Sequence, residues 1–374
     1  MTSAPPALRR ADLAAAIVRR LTGALCLRIN PNANFGFRLG GEVIGPRLLS
    51  QLAHVEMVSP TASESLRFYT EILGLEESGS SGASVYLRGW GDWFHHTLQL
   101  TEGPGPALGH IAWRAAGPEQ LEQAVALVEA AGLGEGWIDA GPGHGPAYRY
   151  RSPGGHLHEV FWEVERFKAP AGSESSFPNR PQRFDPRGAA ARCLDHVTIA
   201  ASDPASEAAW YRDTLGHRYM EYTVAPDAPD HVVFAMTTVC ERAHDLGIVW
   251  DPTPARGRVN HLSYWVASNA ELVRAADVFL NAGVEIEFGP GRHGMGEQDY
   301  LYVREPSGMR VELNSGGYRN YEPDWEPVRF EPAQGSNVFF RNLAMPHSMF
   351  ECFPPAAVPG APPEGAIAST GLFN

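Results

Sequence analysis

Cysteine is scarce in this chain. Four cysteines, Cys26, Cys193, Cys240 and Cys352, are scattered over 374 residues without a CxxC pair. That spacing fits neither a disulfide framework nor a thiolate zinc site, and a reducing cytoplasm is the matching expectation. Positive charge is also short, with Lys+Arg 30 against Asp+Glu 43 and a net charge of −13. No basic stripe is present, which excludes nucleic acid as a partner. Long apolar runs are missing too, and nothing approaches the roughly 20 residues of a membrane span. The opening "ALRRADLAAAIVRRL" is amphipathic rather than signal-like, because Asp12, Arg19 and Arg20 interrupt its apolar centre. It reads as a helical arm that packs on the body or on a neighbouring subunit.

What is present is a real core composition, 44% hydrophobic, and a sequence written twice. "RSPGGHLHE" (Arg151 to Glu159) returns as "REPSGMRVE" (Arg304 to Glu312), and "LAHVEMV" returns as "LDHVTIA". The spacing from His54 to Tyr69 equals that from His196 to Tyr211, and His110 to Gly132 equals His261 to Gly283. "GPGHG" is echoed by "GPGRHG". Four anchors in one order indicate gene duplication. Each half divides again into strand, helix and several strands, a unit written four times over about 50–104, 105–166, 192–250 and 256–320. The helices "ASESLRFYTEIL" and "EQLEQAVALVEAAG" end at glycine stops. The resulting division is an arm over 1–48, a first domain over 49–168, a linker over 169–191, a second domain over 192–330, and a lid and tail over 331–374. The Pro-rich "CFPPAAVPGAPPEG" reads as a poorly ordered terminus.

In the second half His196 and His261 each open a strand, and Glu312 lies in "MRVEL". Alternate residues of a strand share a face, so Val311 and Leu313 point away from Glu312 into packing. A carboxylate between apolar neighbours needs a compensating partner. Two histidines and one carboxylate on one sheet form a facial triad with open positions for substrate and dioxygen. A single strand histidine is more often a satisfied core residue. Here His244, His293 and Tyr302 accompany the set, and such imidazoles and a phenol suit proton transfer at neutral pH.

At these residues the chain resembles the extradiol ring-cleaving dioxygenases of the catechol 2,3-dioxygenase type, within the vicinal oxygen chelate superfamily. The resemblance covers about residues 50–330 and is most specific over "GPGRHG…YLYVREPSGMRVE" and the "HD" of His244 and Asp245. It implies an α+β fold of four βαβββ modules, paired into two similar domains, each an incomplete β-barrel. It implies His196, His261 and Glu312 as ligands of Fe(II), or Mn(II) in some members. It also implies His244 as the acid–base histidine, and His293 with Tyr302 around the bound catechol. The reaction implied is insertion of both atoms of O2 beside the diol, as in aromatic hydrocarbon catabolism, by a cytoplasmic homo-oligomer, dimer or tetramer. Trp250, Phe288 and Arg292 are the expected substrate contacts. Members that take acid-bearing catechols carry arginine where Phe288 stands, so an uncharged catechol is expected, although Arg256, Arg258 and Arg292 offer possible anion contacts. His54, His110 and Glu159 form a matching set in the first half, but Arg149 fills the Tyr302 position. Two alternatives are a metalloenzyme of the same superfamily that does not use O2, of glyoxalase or epimerase type, and a binding protein for small aromatics.

Overall fold

The computed structural model describes residues 47–335, 337–338 and 345–357, and the backbone of 38–39 and 42–43. The expected N-terminal helix lies outside the described residues.

The first half opens with strand β1 (Leu49–Ser59) and helix α1 (Ala62–Arg67), which widens into a π-helical turn over Phe68–Leu73. That turn carries Phe68, Tyr69 and Leu73 into the core. It stops at Gly74, where φ is +90° and a Cβ would stand 2.2 Å from Arg187 O, so only glycine fits. Strands β2 (Glu76–Ser81), β3 (Ser84–Arg88), β4 (Leu98–Glu102) and β5 (Ala107–Ala115) follow. Helix α2 (Pro118–Ala130) precedes β6 (Gly134–Ile138), β7 (Ala147–Arg151) and β8 (Leu157–Phe161).

The second half repeats the pattern: β9 (Cys193–Ala201), α3 (Pro204–Leu215), β10 (Arg218–Ala225), β11 (Ala228–Thr238), β12 (Leu246–Trp250), β13 (Arg258–Trp265), α4 (Asn269–Asn281), β14 (Ile286–Arg292), β15 (Gln298–Arg304) and β16 (Arg310–Gly316). Helix α3 starts where Asp203 accepts from Ser206 N at 3.0 Å, with Pro204 in the first turn, and ends at Gly216 with φ +71°.

The first sheet runs β2-β3-β4-β1-β5-β8-β7-β6. The second, read from its other edge, runs β10-β11-β12-β9-β13-β16-β15-β14, with the short strand β17 (Val328–Phe330) added beside β10. The two orders are therefore the same, as duplication requires. One apolar cluster, including Val55, Ile111, Trp113, Val197, Leu262, Val311 and Leu313, runs through both halves. It buries the strand faces opposite the histidines. The tail departs from expectation at its start, because Cys352 and Phe353 are buried. Phe353 exchanges backbone hydrogen bonds with Val259, and Leu108 N donates to Pro354 O, so this segment straps both sheets. Residues 358–374 lie outside the described ones.

Candidate metal centre

Strand register assembles the site. His196 on β9 lies opposite Ser263 on β13, Ser263 lies opposite Glu312 on β16, and Glu312 lies opposite Tyr302 on β15. Directly opposed residues share a face, and His261, two residues before Ser263, shares it too. Side chains far apart in sequence thus meet. His196 Nε2 and His261 Nε2 are 3.2 Å apart, and Glu312 Oε2 lies 2.9 Å and 3.3 Å from them. All three residues are buried.

The outer nitrogens are occupied. His196 Nδ1 donates to Asp195 Oδ2 at 2.9 Å, and His261 Nδ1 donates to Asn260 Oδ1 at 2.8 Å. Asp195 and Asn260 fall at register shifts on either side of the His196 pairing and the His261 pairing, and such bulges re-aim side chains. Asp195 is also fixed by Gln298 and Asn314 at 3.0 and 3.1 Å and by Arg242 at 3.3 Å. Asn260 Nδ2 donates to Met349 O at 3.0 Å and Glu351 O at 3.2 Å, tying one ligand to the C-terminal strap. With both Nδ1–H groups engaged, each Nε2 faces the common centre, and Glu312 Oε2 is buried without a properly angled hydrogen bond. This donor set fits a divalent ion such as Fe(II) or Mn(II). Sequence reasoning missed Asp195 and Asn260, yet each stands immediately before its histidine.

Electrostatics support that reading. Burial opposes ionisation of Glu312, but the nearby His196 charge holds its carboxyl well below the usual range. Burial likewise opposes charge on His196, which Glu312 and Asp195 nevertheless raise to about 9. Burial takes His261 down to about 4 against the pull of Glu312. Asp195, desolvated but held by the His196 hydrogen bond and Arg242, falls to about 2.

Around the triad, the His244 ring lies 4.0 Å from that of His196, with Nδ1 buried and unpartnered. Burial and the His196 charge push its pKa well below normal. His293 Nε2 is 3.0 Å from Tyr302 Oη and 3.9 Å from Glu312 Oε1. All six face one cavity of about 450 Å³, which Val224, Phe234, Met236, Val249, Trp250 and Met349 make largely apolar.

Phe288 and Arg292 are not among the residues lining it. Phe288 stacks on Tyr300 at 5.0 Å, because the cross-strand register turns it into an aromatic row. Arg292 reaches outward to Glu297 at 3.4 Å. Val338 is exposed and its N donates to Arg292 O, while the adjacent Asn337 faces the cavity.

The first half repeats the register, with His54 opposite Ala112, Ala112 opposite Glu159, and Glu159 opposite Arg149. His54 Nε2 and His110 Nε2 are 2.9 Å apart, and Arg149 binds Glu159 Oε1.

Known proteins place this geometry. The profile of the "Glyoxalase/Bleomycin resistance protein/Dioxygenase superfamily" matches residues 51–160 and again 193–313. A metapyrocatechase of Geobacillus stearothermophilus is 38% identical, over 80% of this chain and 92% of its own length. A manganese-dependent 2,3-dihydroxybiphenyl 1,2-dioxygenase of Geobacillus genomosp. 3 is 37% identical, over 76% and 90%. The crystal structure of the 2,3-dioxygenase LapB from Pseudomonas sp. KL28 superposes with a TM-score of 0.69 at 26% identity, covering 76% of this chain and 98% of that one. With both halves matched, and these relatives spanned nearly end to end, the chain belongs to the Glyoxalase/Bleomycin resistance protein/Dioxygenase superfamily, among its extradiol ring-cleaving dioxygenases.

Proposed function

We propose that this extradiol dioxygenase cleaves an uncharged catechol bearing an apolar substituent, with His196, His261 and Glu312 as ligands of Fe(II) or Mn(II). The observation that carries the substrate class is the cavity wall. Glu312 is the one acidic side chain lining it, and no lysine or arginine does among the described residues. The arginines that offered anion contacts are engaged elsewhere: Arg256 on Pro153 O, Arg258 on Asp251 at 2.7 Å and Arg292 on Glu297. A carboxylate on the substrate would therefore be buried without a partner. A volume of about 450 Å³ admits an alkyl or aryl group beside the diol, and a relative named for 2,3-dihydroxybiphenyl supports that reading.

A divalent ion supplies Lewis acidity toward the diol and a redox link to dioxygen. The protein's own groups manage the protons. His244 is held neutral by burial, so it accepts a diol proton and returns it as the ring opens. Burial, aided by Glu312, keeps Tyr302 a neutral phenol that donates to the substrate oxygen, with His293 orienting it. Trp250 and Met349 shield the reacting carbons from water.

Within the same reading, 49–168 and 192–330 act as duplicated domains, and the chain forms a cytoplasmic homo-oligomer, dimer or tetramer. Exposed Val273 and Leu280 on α4 support self-association, and light scattering tests it. Among the described residues, no helix is long and apolar enough to cross a membrane. For the reaction, protein loaded anaerobically with Fe(II) or Mn(II) is mixed with catechols in air. We expect oxygen uptake and a yellow ring-opened product from 3-methylcatechol and 2,3-dihydroxybiphenyl, with kcat/KM at least tenfold above that for homoprotocatechuate. Comparable turnover of homoprotocatechuate overturns the substrate class. No oxygen uptake with any catechol under either metal overturns the reaction.

A further inference from the structure

We propose that the first half holds a second divalent ion, of zinc type and structural, at His54, His110 and Glu159. This rests on the first sheet alone and is independent of the substrate reading above. The three ligands come from β1, β5 and β8, which are adjacent, so one ion would join three neighbouring strands. Their donor atoms lie within 4.8 Å of one another, and all three residues are buried.

Convergence alone would also suit a hydrogen-bonded relic of the duplication. Three features go further. His110 Nδ1 is 2.9 Å from Glu56 Oε2, and Glu56 Oε1 accepts from Thr101 Oγ1 at 2.6 Å and Gln99 Nε2 at 2.8 Å. A carboxylate behind a histidine, itself held by further donors, orients that histidine's other nitrogen toward a metal. The second half obtains this support differently, from Asp195 and Asn260, so Glu56 is not copied from it. The chain is also shaped to admit Glu56: a Cβ at Gly109 would stand 2.2 Å from Glu56 Oε2. Third, the His96 ring lies 4.5 Å from that of His54, with Nε2 buried and without a hydrogen-bond partner.

Arg149 sets the kind of site. Its Nε and Nη2 both take Glu159 Oε1, at 2.8 and 2.7 Å, which leaves Oε2 to face His110 Nε2 at 3.6 Å. The carboxylate is thereby limited to one ligand atom, which suits a low-coordinate, nitrogen-rich ion such as Zn(II). The guanidinium balances only one of the two carboxylates, Glu56 and Glu159, so with His54 and His110 neutral, as metal ligation requires, one negative charge is left for the cation. It also replaces the phenol that Tyr302 supplies in the other half, so this ion is not set up for ring cleavage.

The test uses the full chain carrying His261→Ala and Glu312→Ala, which empties the second-half site. Protein loaded with Zn(II) or Co(II) is desalted, and metal per chain is counted by elemental analysis. We expect two ions per chain in the unaltered protein and one in this variant, with Co(II) d–d absorption that adding His110→Gln removes. Because a lost ligand can also unfold the sheet, two further variants keep all three ligands. Glu56→Gln is expected to weaken Zn(II) binding ten- to a hundredfold, and Arg149→Gln, by removing a competing cation, to strengthen it. One ion in the unaltered protein and none in the emptied variant overturns the proposal. So does bound metal whose affinity neither Glu56→Gln nor Arg149→Gln changes.

Discussion

Metal uptake at the second-half centre should release one proton per ion near pH 7, and the structure says which. Without metal, Glu312 and Asp195 raise His196 to about 9 against its burial, whereas burial lowers His261 to about 4. At pH 7 His261 and the carboxylates are already in their ligating or supporting forms, and His196 alone must lose a proton. A pKa of about 9 leaves only about one metal-free molecule in a hundred with that proton off at pH 7, which weakens apparent binding on the order of a hundredfold, or about 3 kcal/mol. Apparent affinity is therefore expected to rise about tenfold per pH unit from 7 and to level off above about 9. Stability of the metal-free protein moves the other way. The His196 pKa is raised above its unfolded value of about 6.5, so its contribution, about 3 kcal/mol, is complete below pH 6.5 and is lost as pH rises through 9. Chelator competition across pH, together with calorimetry in buffers of different ionisation enthalpy, measures both affinity and proton count. Asp195→Asn should move the break well below 9. Affinity independent of pH between 7 and 9, with no proton released, would refute the reasoning.

Three further perturbations separate the roles of neighbouring groups. His244→Ala should retain one ion at the second-half centre while lowering kcat by about 10²–10⁴-fold, the usual worth of a general acid–base; elemental analysis beside oxygen uptake decides it, and equal loss of metal and turnover contradicts the role. Asn260→Ala removes the partner of His261 Nδ1 and the donor to Met349 O and Glu351 O, so metal affinity should fall about 10–100-fold; unaltered affinity in chelator competition would mean the strap does not position His261. Leu313→Ala, on the fully buried face opposite Glu312, should lower unfolding stability by about 2–5 kcal/mol in urea titration, and metal binding by the folded fraction should persist.

Much of this protein was legible in its sequence because duplication and strand chemistry leave marks in order and spacing. Four strand–helix–strand units, the apolar residues alternating with Glu312, and the equal spacings of His54 to Tyr69 and His196 to Tyr211 need no coordinates. The matching histidines and glutamates, and Arg149 in place of Tyr302, follow from the same comparison. What the sequence by itself could not supply is which residues share a row, because register is set between strands rather than along one. Only the paired sheets bring His196, Ser263, Glu312 and Tyr302 into line. Only the bulges turn Asp195 and Asn260 beside the histidines they precede, where strict alternation would send them to the other face. Side-chain direction was equally hidden: Phe288 lies in an aromatic stack, and Arg292 reaches an acid within solvent reach. The strap that begins the Pro-rich tail was hidden for a related reason, since its order comes from backbone hydrogen bonds to Val259 and Leu108 and not from its own composition. Local pattern thus determined the elements and the ligand types, and long-range pairing decided the geometry that makes them a metal centre.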